Sequence, residues 1–261
     1  MNLHQLNILS AGLLDAYKKQ VSKSLSIDFK KLHDSELSIS SFSFYTSVSA
    51  VFSSKIEGEN IELDSYVKHK RFGIEFKPDY TSNIDDLYNA YLFAQGNGLN
   101  AENIAKAHVL LTKNILPEHR QGKIRTSNMY VTTKDGKIEY VAASPFEVTK
   151  ELNKLYKDIE LLIQAELSLE ESFFFSAMIH LVFVKIHPFD DGNGRSGRLL
   201  EKWFLSQKTG DKAWYLESEK NYYSNHQTYY NNIRALGLEY EALDYSKALP
   251  FLLMLPKALE I

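Results

Sequence analysis

The sequence contains no cysteine, and this absence excludes several kinds of site at once. A chain of 261 residues without a thiol has no disulfide, no cysteine nucleophile and no thiolate ligand for a metal. With only 12 glycines and 6 prolines, it also lacks a long flexible linker or a proline-rich segment. The absence of disulfides fits a reducing compartment, and we expect a cytoplasmic protein.

No apolar run is long enough to cross a membrane. The longest, Phe173 to Ile186, is interrupted by Ser176, His180 and Lys185, whereas a transmembrane helix needs about 20 apolar residues. The first residues lack the basic start of a signal peptide, and we expect an amphipathic helix there. The formal net charge is −3, so there is no electrostatic case for nucleic acid or an anionic membrane as a partner.

What the sequence has in quantity is helical periodicity. Apolar residues recur at three- and four-residue spacing and predict a mainly α fold, with helices over Leu3–Ser24, Ser38–Glu57, Leu63–Arg71, Ile84–Gln95, Ala101–Ile115, Pro145–Gln164, Glu170–His187, Gly194–Gln207 and Glu219–Leu236. A last helix is predicted near Tyr245–Leu259, kinked or split by Pro250. We expect one compact unit with an N-terminal helical region over residues 1–83, followed by a domain over residues 84–261.

One segment departs from this pattern and predicts a β-hairpin. NMYVTTKDGKIEYVAA, residues 128–143, has β-branched and aromatic residues on both sides of Asp135-Gly136. Asp-Gly between such runs favours a two-residue type I′ turn, because both central positions of that turn need a positive φ. A single hairpin cannot bury its own faces, so it must lie on the helices or serve as an edge.

The clearest chemical signal is the segment KIHPFDDGNGRSGRLLEKW, residues 185–203. Pro188 ends a buried helix near His187, and the glycines that follow let successive N–H groups converge at the start of the next helix, where phosphate binds well. Arg195 and Arg198 lie three residues apart on the first turns of that helix. Cations repel each other at this spacing and are disfavoured at a helix N-terminus, so we expect an anionic partner.

The same segment holds the other groups that phosphate transfer needs. The carboxylate of Asp191 beside a phosphate cradle suits Mg²⁺, and a neutral His187 is placed to accept a proton from an attacking hydroxyl. Together these residues predict metal-assisted phosphoryl or nucleotidyl transfer. DDGNG taken alone is more often a surface turn. Neither a calcium-binding EF-hand loop nor a Walker A loop fits the residues that follow it. His180, on the buried helix, is expected to be a core histidine.

Residues His187–Arg198, HPFDDGNGRSGR, resemble the complete H-P-F-x-[DE]-G-N-G-R-x-x-R signature of the Fic-domain family. The resemblance covers about residues 84–256 and implies a mainly helical Fic fold with one β-hairpin flap and an N-terminal helical extension. It also implies transfer of AMP from ATP to a Ser, Thr or Tyr hydroxyl of a target protein. The implied site residues are His187 as general base, Phe189 as core anchor, Asp191 as Mg²⁺ ligand, Gly192, Asn193, Gly194 and Arg195 on the phosphates, and Arg198 on the γ-phosphate.

Two further segments are similar to parts of Fic proteins. The predicted hairpin, with Gly122 and Arg125 before it, is similar to the flap that orients the target by strand-like pairing. The implied target-binding residues are Met129, Tyr130, Val131 and Thr132. The tyrosine-rich segment NYYSNHQTYYNNIRALG resembles the helix that helps to wall the adenine, and its candidates are Tyr229, Tyr230 and Ile233. The match is loose, because Gly237 stands where relatives often have an asparagine, and core packing is an equal alternative for each of the three residues.

A second acidic residue, Glu57, stands far upstream at the end of a predicted helix over residues 38–58. An acid is disfavoured in the last turn by the helix dipole, so we expect a partner elsewhere in the fold; a merely solvated helix end is the alternative. Ser53 shares its helix face. Ser53-Ser-Lys-Ile-Glu57-Gly58 is similar to the [ST]-x-x-x-E-[GN] inhibitory motif of Fic proteins. In that class the glutamate pairs with the second signature arginine, here Arg198, and blocks the seating of the ATP γ-phosphate.

The sequence therefore predicts an autoinhibited protein adenylyltransferase that uses ATP and Mg²⁺. Two alternatives stay open. The same site could remove AMP from a modified protein, with Glu57 activating water, or transfer another phosphate-containing group. A non-catalytic adaptor that binds nucleotide would keep the fold alone, although the intact motif argues against it. The identity of the target protein and the oligomeric state, including a homodimer, are left open by the sequence.

Overall fold

Helices make up most of the structure, a computed structural model that describes residues 5–132 and 138–260. The helices are α1 (Leu14–Gln20), α2 (Leu25–Lys31), α3 (Phe44–Ile56), α4 (Leu63–Phe72), α5 (Pro78–Gln95), α6 (Ala101–Leu111), α7 (Val148–Gln164), α8 (Leu169–Ile186), α9 (Asn193–Thr209), α10 (Ser218–Ser224), α11 (His226–Arg234), α12 (Leu249–Leu252) and α13 (Met254–Lys257). Two antiparallel strands, β1 (Tyr130–Thr132) and β2 (Ile138–Val141), lie between α6 and α7. The predicted mainly α fold with one hairpin is confirmed.

The single N-terminal helix predicted over Leu3–Ser24 is wrong. The chain forms α1 and α2 instead, and Val21, with φ −63° and ψ 144°, ends α1 in an extended conformation. Before α1, the backbone N–H groups of residues 7–9 donate to the carboxylate of Asp158 on α7, at 2.7 to 2.8 Å. Because these groups are engaged by a distant side chain, the helical pattern of the sequence does not decide the local conformation.

Other helices differ from the predictions at their ends. α3 begins at Phe44 rather than at Ser38, because Ser43 caps it by accepting a hydrogen bond from the Thr46 N–H at 3.3 Å. α5 begins earlier than predicted, at Pro78, since proline favours the first turn of a helix. The predicted division between residues 83 and 84 falls inside α5, and one apolar cluster has members on both sides of it. That division stays a prediction.

The C-terminal helices are also shorter than the periodicity suggests. The helix predicted over Glu219–Leu236 is interrupted at Asn225, which separates α10 from α11. The helix predicted over Tyr245–Leu259 is divided into a 3₁₀ turn, α12 and α13, and Pro250 lies in the first turn of α12. A proline there keeps its missing N–H where no helical partner is needed.

α8 lies at the centre of the core. Its side chains are buried without a break from Ser172 to Ile186, as expected of a helix that is apolar all round. Helix α9 packs along α8, and α3 packs on α5 and α10. The carboxyl end of α8 therefore meets the amino end of α9 within the core, joined by residues 187–192. Across the part of the chain that the structure describes, no helix combines the length and apolarity needed to span a bilayer.

The hairpin covers the end of α8. Its register pairs Tyr130 with Val141 and Val131 with Tyr140. The predicted Asp135-Gly136 turn lies outside the described residues. The Val141 N–H donates to the carbonyl of Leu238 at 2.8 Å, so the outer edge of β2 is bonded to the segment after α11. The hairpin is thus attached to the helical core through β2.

Candidate active site

His187 ends α8 in a left-handed conformation. Its φ is 53° and its ψ is 60°, and no other described non-glycine residue has a positive φ. Such a conformation is strained and persists only where the surroundings impose it. The His187 N–H still donates to the Phe183 carbonyl at 3.0 Å. The next residue, Pro188, has no N–H, so the Val184 carbonyl is left without its helical donor.

The imidazole of His187 supplies a replacement donor. Its Nδ1 lies 3.1 Å from the Val184 oxygen and 3.0 Å from the Tyr140 hydroxyl. A carbonyl oxygen can only accept, so Nδ1 carries the proton and Nε2 keeps its lone pair. Burial lowers the pKa of His187 to about 4. The ring is therefore neutral near pH 7, as a general base must be.

Arg125 fixes the backbone around His187. Its guanidinium donates to the carbonyl of His187 at 2.7 Å, to that of Ser127 at 2.6 Å and to that of Ala143. Its own N–H donates to the Pro188 carbonyl at 2.9 Å. One buried arginine thus ties both ends of the hairpin to the end of α8. The sequence analysis identified Arg125 only as the lead-in of the hairpin, because backbone acceptors leave no pattern in the sequence.

Asn193 braces the loop from inside. Its Oδ1 accepts a hydrogen bond from the Phe189 N–H at 2.9 Å, and its Nδ2 donates to the Phe189 carbonyl at 2.8 Å. The side chain is therefore engaged with the loop, so the predicted phosphate contact of Asn193 would have to come from its backbone N–H. Phe189 is buried, and its ring stacks on His108 with centroids 3.7 Å apart.

His108, on α6, is a residue of the site that the sequence analysis missed. Its Nε2 lies 2.9 Å from the Asp191 carbonyl, and its Nδ1 accepts a hydrogen bond from the Gly122 N–H at 2.8 Å. Burial lowers the pKa of His108 to about 4, so the ring is neutral, with one nitrogen donating and the other accepting. It joins the lead-in of the hairpin to the motif loop. A lone histidine on an amphipathic helix gave no sign of this role.

The amino end of α9 has the geometry expected of the predicted phosphate cradle, whose binding of phosphate stays a prediction. Gly192 precedes it with a φ of 77°, and a Cβ there would come within 2.9 Å of the Leu111 side chain, so glycine is required. The N–H groups of Asn193, Gly194 and Arg195 lie in the first turn, where no helical carbonyl is available to them. Together with the helix dipole they favour an anion at this position.

Asp191 stands exposed at the edge of this cradle. One of its carboxylate oxygens accepts a hydrogen bond from the Gly192 N–H at 2.5 Å. Over the described ranges, no three or more His, Asp or Glu side chains are grouped so that they could hold a metal. Mg²⁺ fits a single exposed carboxylate beside a phosphate site, because it takes few protein ligands and completes its shell with water and phosphate oxygens. The metal-binding role of Asp191 stays a prediction.

The carboxylate of Glu57 lies over the cradle. Glu57 follows the last residue of α3, and its Oε1 is 2.6 Å from the Arg198 guanidinium. A Cβ at Gly194 would collide with the same oxygen, which places the carboxylate directly against the first turn of α9. Burial opposes the ionisation of Glu57, but Arg198 and Arg195 outweigh it and hold its pKa below the usual range.

Both signature arginines thus face acidic residues from the segment that ends α3. Arg198, only 1% exposed, also donates from Nε to the Ser53 hydroxyl at 2.8 Å and from an NH2 group to the Ser53 carbonyl at 3.0 Å. Arg195 lies 3.5 Å from Glu59, a partner that the sequence analysis did not identify. The contact between Glu57 and Arg198 is present, while its inhibitory role stays a prediction.

The two tyrosines predicted near the adenine lie in different surroundings. Tyr229 is buried, with its hydroxyl 3.0 Å from His180 Nε2 and 3.4 Å from the Arg198 guanidinium. His180 also contacts Glu201 at 2.9 Å, so it is a core histidine with both nitrogens bonded, as predicted. The structure favours core packing for Tyr229. Tyr230 is half-buried, and both alternatives remain for it.

The predicted target-binding residues lie on the outer strand of the hairpin. The carbonyl of Met129 accepts a hydrogen bond from the Ala142 N–H at 3.1 Å, and β1 follows directly. Tyr130 and Thr132 are exposed, whereas Val131 is half-buried and packs towards the core. Among the described strands only β2 pairs with β1. The other edge of β1 can therefore accept an extended segment, although this role too stays a prediction.

Comparisons with known proteins agree with the signature. Residues 91–205 match the model described as the Fic/DOC family. A 117-residue alignment with 30% identity relates the chain to a protein of the sea anemone Nematostella vectensis named "Protein adenylyltransferase Fic". It covers 39% of this chain and 24% of the relative, so the match spans about a quarter of that protein.

Solved Fic structures share the fold. A Fic family protein from Desulfovibrio desulfuricans has a TM-score of 0.67 at 21% identity, over 83% of this chain and 62% of that chain. A Fic domain containing signaling protein from Bacteroides thetaiotaomicron has a TM-score of 0.65 at 18% identity, over 94% of this chain and 91% of that chain. Fic-1 from C. elegans has a TM-score of 0.66 at 17% identity, over 95% of this chain and 68% of that chain. Such identities support the fold alone. Signature, family model and fold agree: residues 91–205 match the Fic/DOC family, and the chain has the fold of solved Fic proteins.

Proposed function

We propose that this chain is an autoinhibited protein adenylyltransferase, which transfers AMP from ATP to a Ser, Thr or Tyr hydroxyl of a target protein. The observation that carries the proposal is the Glu57 carboxylate, which lies on Arg198 and against the amino end of α9. An anion from the protein itself occupies the place where this fold would bind phosphate. The match of residues 91–205 to the Fic/DOC family and a relative named protein adenylyltransferase support AMP transfer as the reaction.

The chemistry would start at Nε2 of His187. Nε2 accepts the proton of the target hydroxyl while the hydroxyl oxygen attacks the α-phosphorus of ATP. A bond forms between that oxygen and phosphorus, the bond to the β-phosphate oxygen breaks, and pyrophosphate leaves. The N–H groups at the start of α9 stabilise charge on the phosphates. Bound through Asp191 and the phosphates, Mg²⁺ would neutralise part of that charge.

Arg195 offers a second reason to place phosphate here. Its side chain is buried, and its Nε has no hydrogen-bond partner within the described structure. A buried guanidinium nitrogen without a partner is costly, and a phosphate oxygen would satisfy it.

Inhibition would follow from competition between two anions. Arg198 cannot pair with the γ-phosphate while Glu57 holds its outer NH2 group at 2.6 Å, and the carboxylate repels phosphate. Coupling energies of this kind are about 1–3 kcal/mol, or roughly 5- to 150-fold in affinity. Removing Glu57 is expected to raise ATP affinity within that range, while Ser53 keeps Arg198 in place.

The test uses the full chain with Glu57→Gly, Mg²⁺, ATP labelled at the α-phosphate and a cell lysate. We expect labelling of protein to rise about tenfold or more over the unsubstituted chain, within the range of such couplings, and to be lost when His187→Ala is added. Glu62→Gly is the matched control, because Glu62 is 71% exposed and its salt bridge is to Lys55. If Glu57→Gly and Glu62→Gly behave alike in both labelling and ATP affinity, the inhibitory assignment is wrong.

Parallel reactions separate the alternatives. Label arriving only from γ-labelled ATP would mean phosphoryl transfer, and loss of AMP from a modified protein would mean the reverse reaction. Glu57→Gly protein that binds no ATP with Mg²⁺ would instead support a non-catalytic adaptor.

A further inference from the structure

The Val184 carbonyl, left without a helical donor by Pro188, attracts two side chains. The hydroxyl of Tyr140 lies 2.8 Å from it and Nδ1 of His187 lies 3.1 Å from it. Tyr140 and His187 are also 3.0 Å from each other. The oxygen cannot donate, and a tyrosine has one hydroxyl proton. The shorter contact indicates that Tyr140 donates to Val184, and Nδ1–H of His187 is then shared between the Val184 carbonyl and the Tyr140 oxygen.

The ring of Tyr140 is itself fixed. Tyr140 is buried and stands edge-on to the His187 imidazole, with centroids 6.0 Å apart and an interplanar angle of 70°. The ammonium group of Lys185 lies 4.3 Å from the centre of the tyrosine ring, at a distance typical of a cation–π contact. The hydroxyl therefore has little freedom to move away from His187.

We propose that Tyr140 is a positioning residue for the general base. The Val184 carbonyl already requires a proton on Nδ1; the Tyr140 oxygen is a second acceptor for that proton and orients the ring so that Nε2 faces the acceptor hydroxyl. Nδ1 carries a proton in both the neutral and the protonated ring, so the same bond persists while His187 takes up the proton. This inference rests on the proposed function, since it assigns His187 as the base.

The position of Tyr140 also links target binding to the base. Tyr140 lies on β2, and its partner across the hairpin is Val131 of β1, the strand expected to pair with the target. The hairpin would thus pair with the target through β1 and orient His187 through Tyr140 on β2. A target seated on β1 would then be held in register with the group that accepts its proton.

The kinetic test is Tyr140→Phe in the Glu57→Gly chain. Phenylalanine keeps the ring, its edge contact with His187 and its place beside Lys185, and removes only the hydroxyl. We expect kcat for AMP transfer to fall about tenfold, a fraction of the contribution that a well-placed general base makes, with KM for ATP unchanged. The matched control is Tyr240→Phe, which removes a hydroxyl 3.0 Å from Glu151, outside the site. An unchanged kcat, or an equal loss in the control, would overturn the proposal.

The structural test needs no activity. In the histidine-¹⁵N-labelled chain, His187 is assigned by the signals lost in His187→Ala. At pH 7 we expect a protonated Nδ1 and an unprotonated Nε2. In Tyr140→Phe the Val184 carbonyl keeps the proton on Nδ1, and we expect the His187 ¹⁵N and ring ¹H signals to shift and broaden, because the ring loses one of its two acceptors. An unaltered His187 spectrum in Tyr140→Phe contradicts the proposal even if kcat falls, because the hydroxyl would then act elsewhere. If the Glu57→Gly parent transfers no AMP, the proposed function fails, while this spectrum still decides whether Tyr140 orients the His187 ring.

Discussion

Arg198 shows how a buried charge can be prepared for a ligand. Its guanidinium is almost fully buried and has both the Ser53 hydroxyl and the Ser53 carbonyl as acceptors besides Glu57. Losing one partner usually leaves a buried charge uncompensated. Here the two contacts to Ser53 persist when Glu57 is removed, so the side chain keeps its orientation towards the cradle. Glu57→Gly is therefore expected to fold and to present a preformed cation to phosphate.

The protonation of His187 gives a prediction about pH. Its pKa is lowered to about 4, mainly by burial and in part by Arg125, against the hydrogen bond to Val184 and the charges of Glu57 and Asp191, which raise it. An ordinary histidine base loses activity as the pH falls through about 6.5. Glu57→Gly removes one of the charges that raise the pKa of His187. We therefore expect the rate of AMP transfer by this variant to stay level as the pH falls from 8 to about 5.5. A pH–rate profile with a half-point near 6.5 would contradict the assigned environment.

At the level of single residues, the sequence could predict contacts within one contiguous segment but not contacts between segments far apart in the chain. The spacing from His187 to Arg198 already implied a phosphate cradle, because loop, glycines and helix start are contiguous. Glu57 could be identified as lacking a partner from its place at a helix end, yet pairing it with Arg198 depended on the family resemblance. The roles of His108 and Tyr140 could not be predicted, since they depend on contacts with backbone atoms far away in the chain.

Helices α3 and α9 meet along a polar seam, defined by Ser49 and Ser53 on α3 with Lys202 and Arg198 on α9. Each pair is spaced four residues apart, so the two contacts lie one turn apart on facing helix surfaces. Lys202 Nζ is 2.6 Å from the Ser49 hydroxyl and 2.6 Å from Glu219. The contact at Ser49 holds α3 in place without touching the cradle.

This arrangement predicts that Ser49→Ala weakens the docking of α3. The change removes one acceptor from Lys202, which keeps Glu219, and the loss of such a buried bond costs about 1–2 kcal/mol. We expect AMP labelling by Ser49→Ala to rise above that of the unsubstituted chain, yet to stay below that of Glu57→Gly, because Glu57 is still present. The measurement is the labelling rate with α-labelled ATP at several ATP concentrations.

Ser47→Ala provides the control on the same helix. The Ser47 hydroxyl is buried but donates to the Ser43 carbonyl within the first turn of α3. Equal labelling by Ser47→Ala and Ser49→Ala would show that the contact with Lys202 does not hold the helix in its inhibitory position.

At the level of elements, the existence of helices was predictable but their ends were not. The apolar surface of α8 predicted both the helix and its central place, because no face of it could tolerate water. The start of α3 depended on the cap at Ser43, and the interruption at Asn225 has no strong breaker such as proline or glycine beside it. The single helix expected at the amino terminus was wrong for a reason of tertiary structure, namely the hydrogen bonds to Asp158.

Across the whole molecule, Asp158 attaches the N-terminal region to the rest of the fold. Its buried carboxylate accepts hydrogen bonds from the backbone N–H groups of residues 7–9 and from the Asn7 side chain, at 2.7 to 2.8 Å. Leu9 and Leu14, close to this contact, belong to the same apolar cluster as α8. The carboxylate therefore stabilises the packing of the amino-terminal segment on the core, at a distance along the chain from the signature.

We predict that Asp158→Asn lowers the free energy of unfolding by about 2–3 kcal/mol, because an amide keeps one acceptor oxygen and its NH₂ group cannot accept from the N–H groups it would face. The midpoint of urea unfolding should fall with little change in slope, while AMP transfer in the Glu57→Gly chain, measured well below the unfolding temperature, should be unchanged. Asp64→Asn is the control, because Asp64 is 76% exposed in its pair with Lys68 and such pairs contribute little. Equal midpoints for the two variants would show that the N-terminal segment is held by its apolar contacts rather than by this carboxylate.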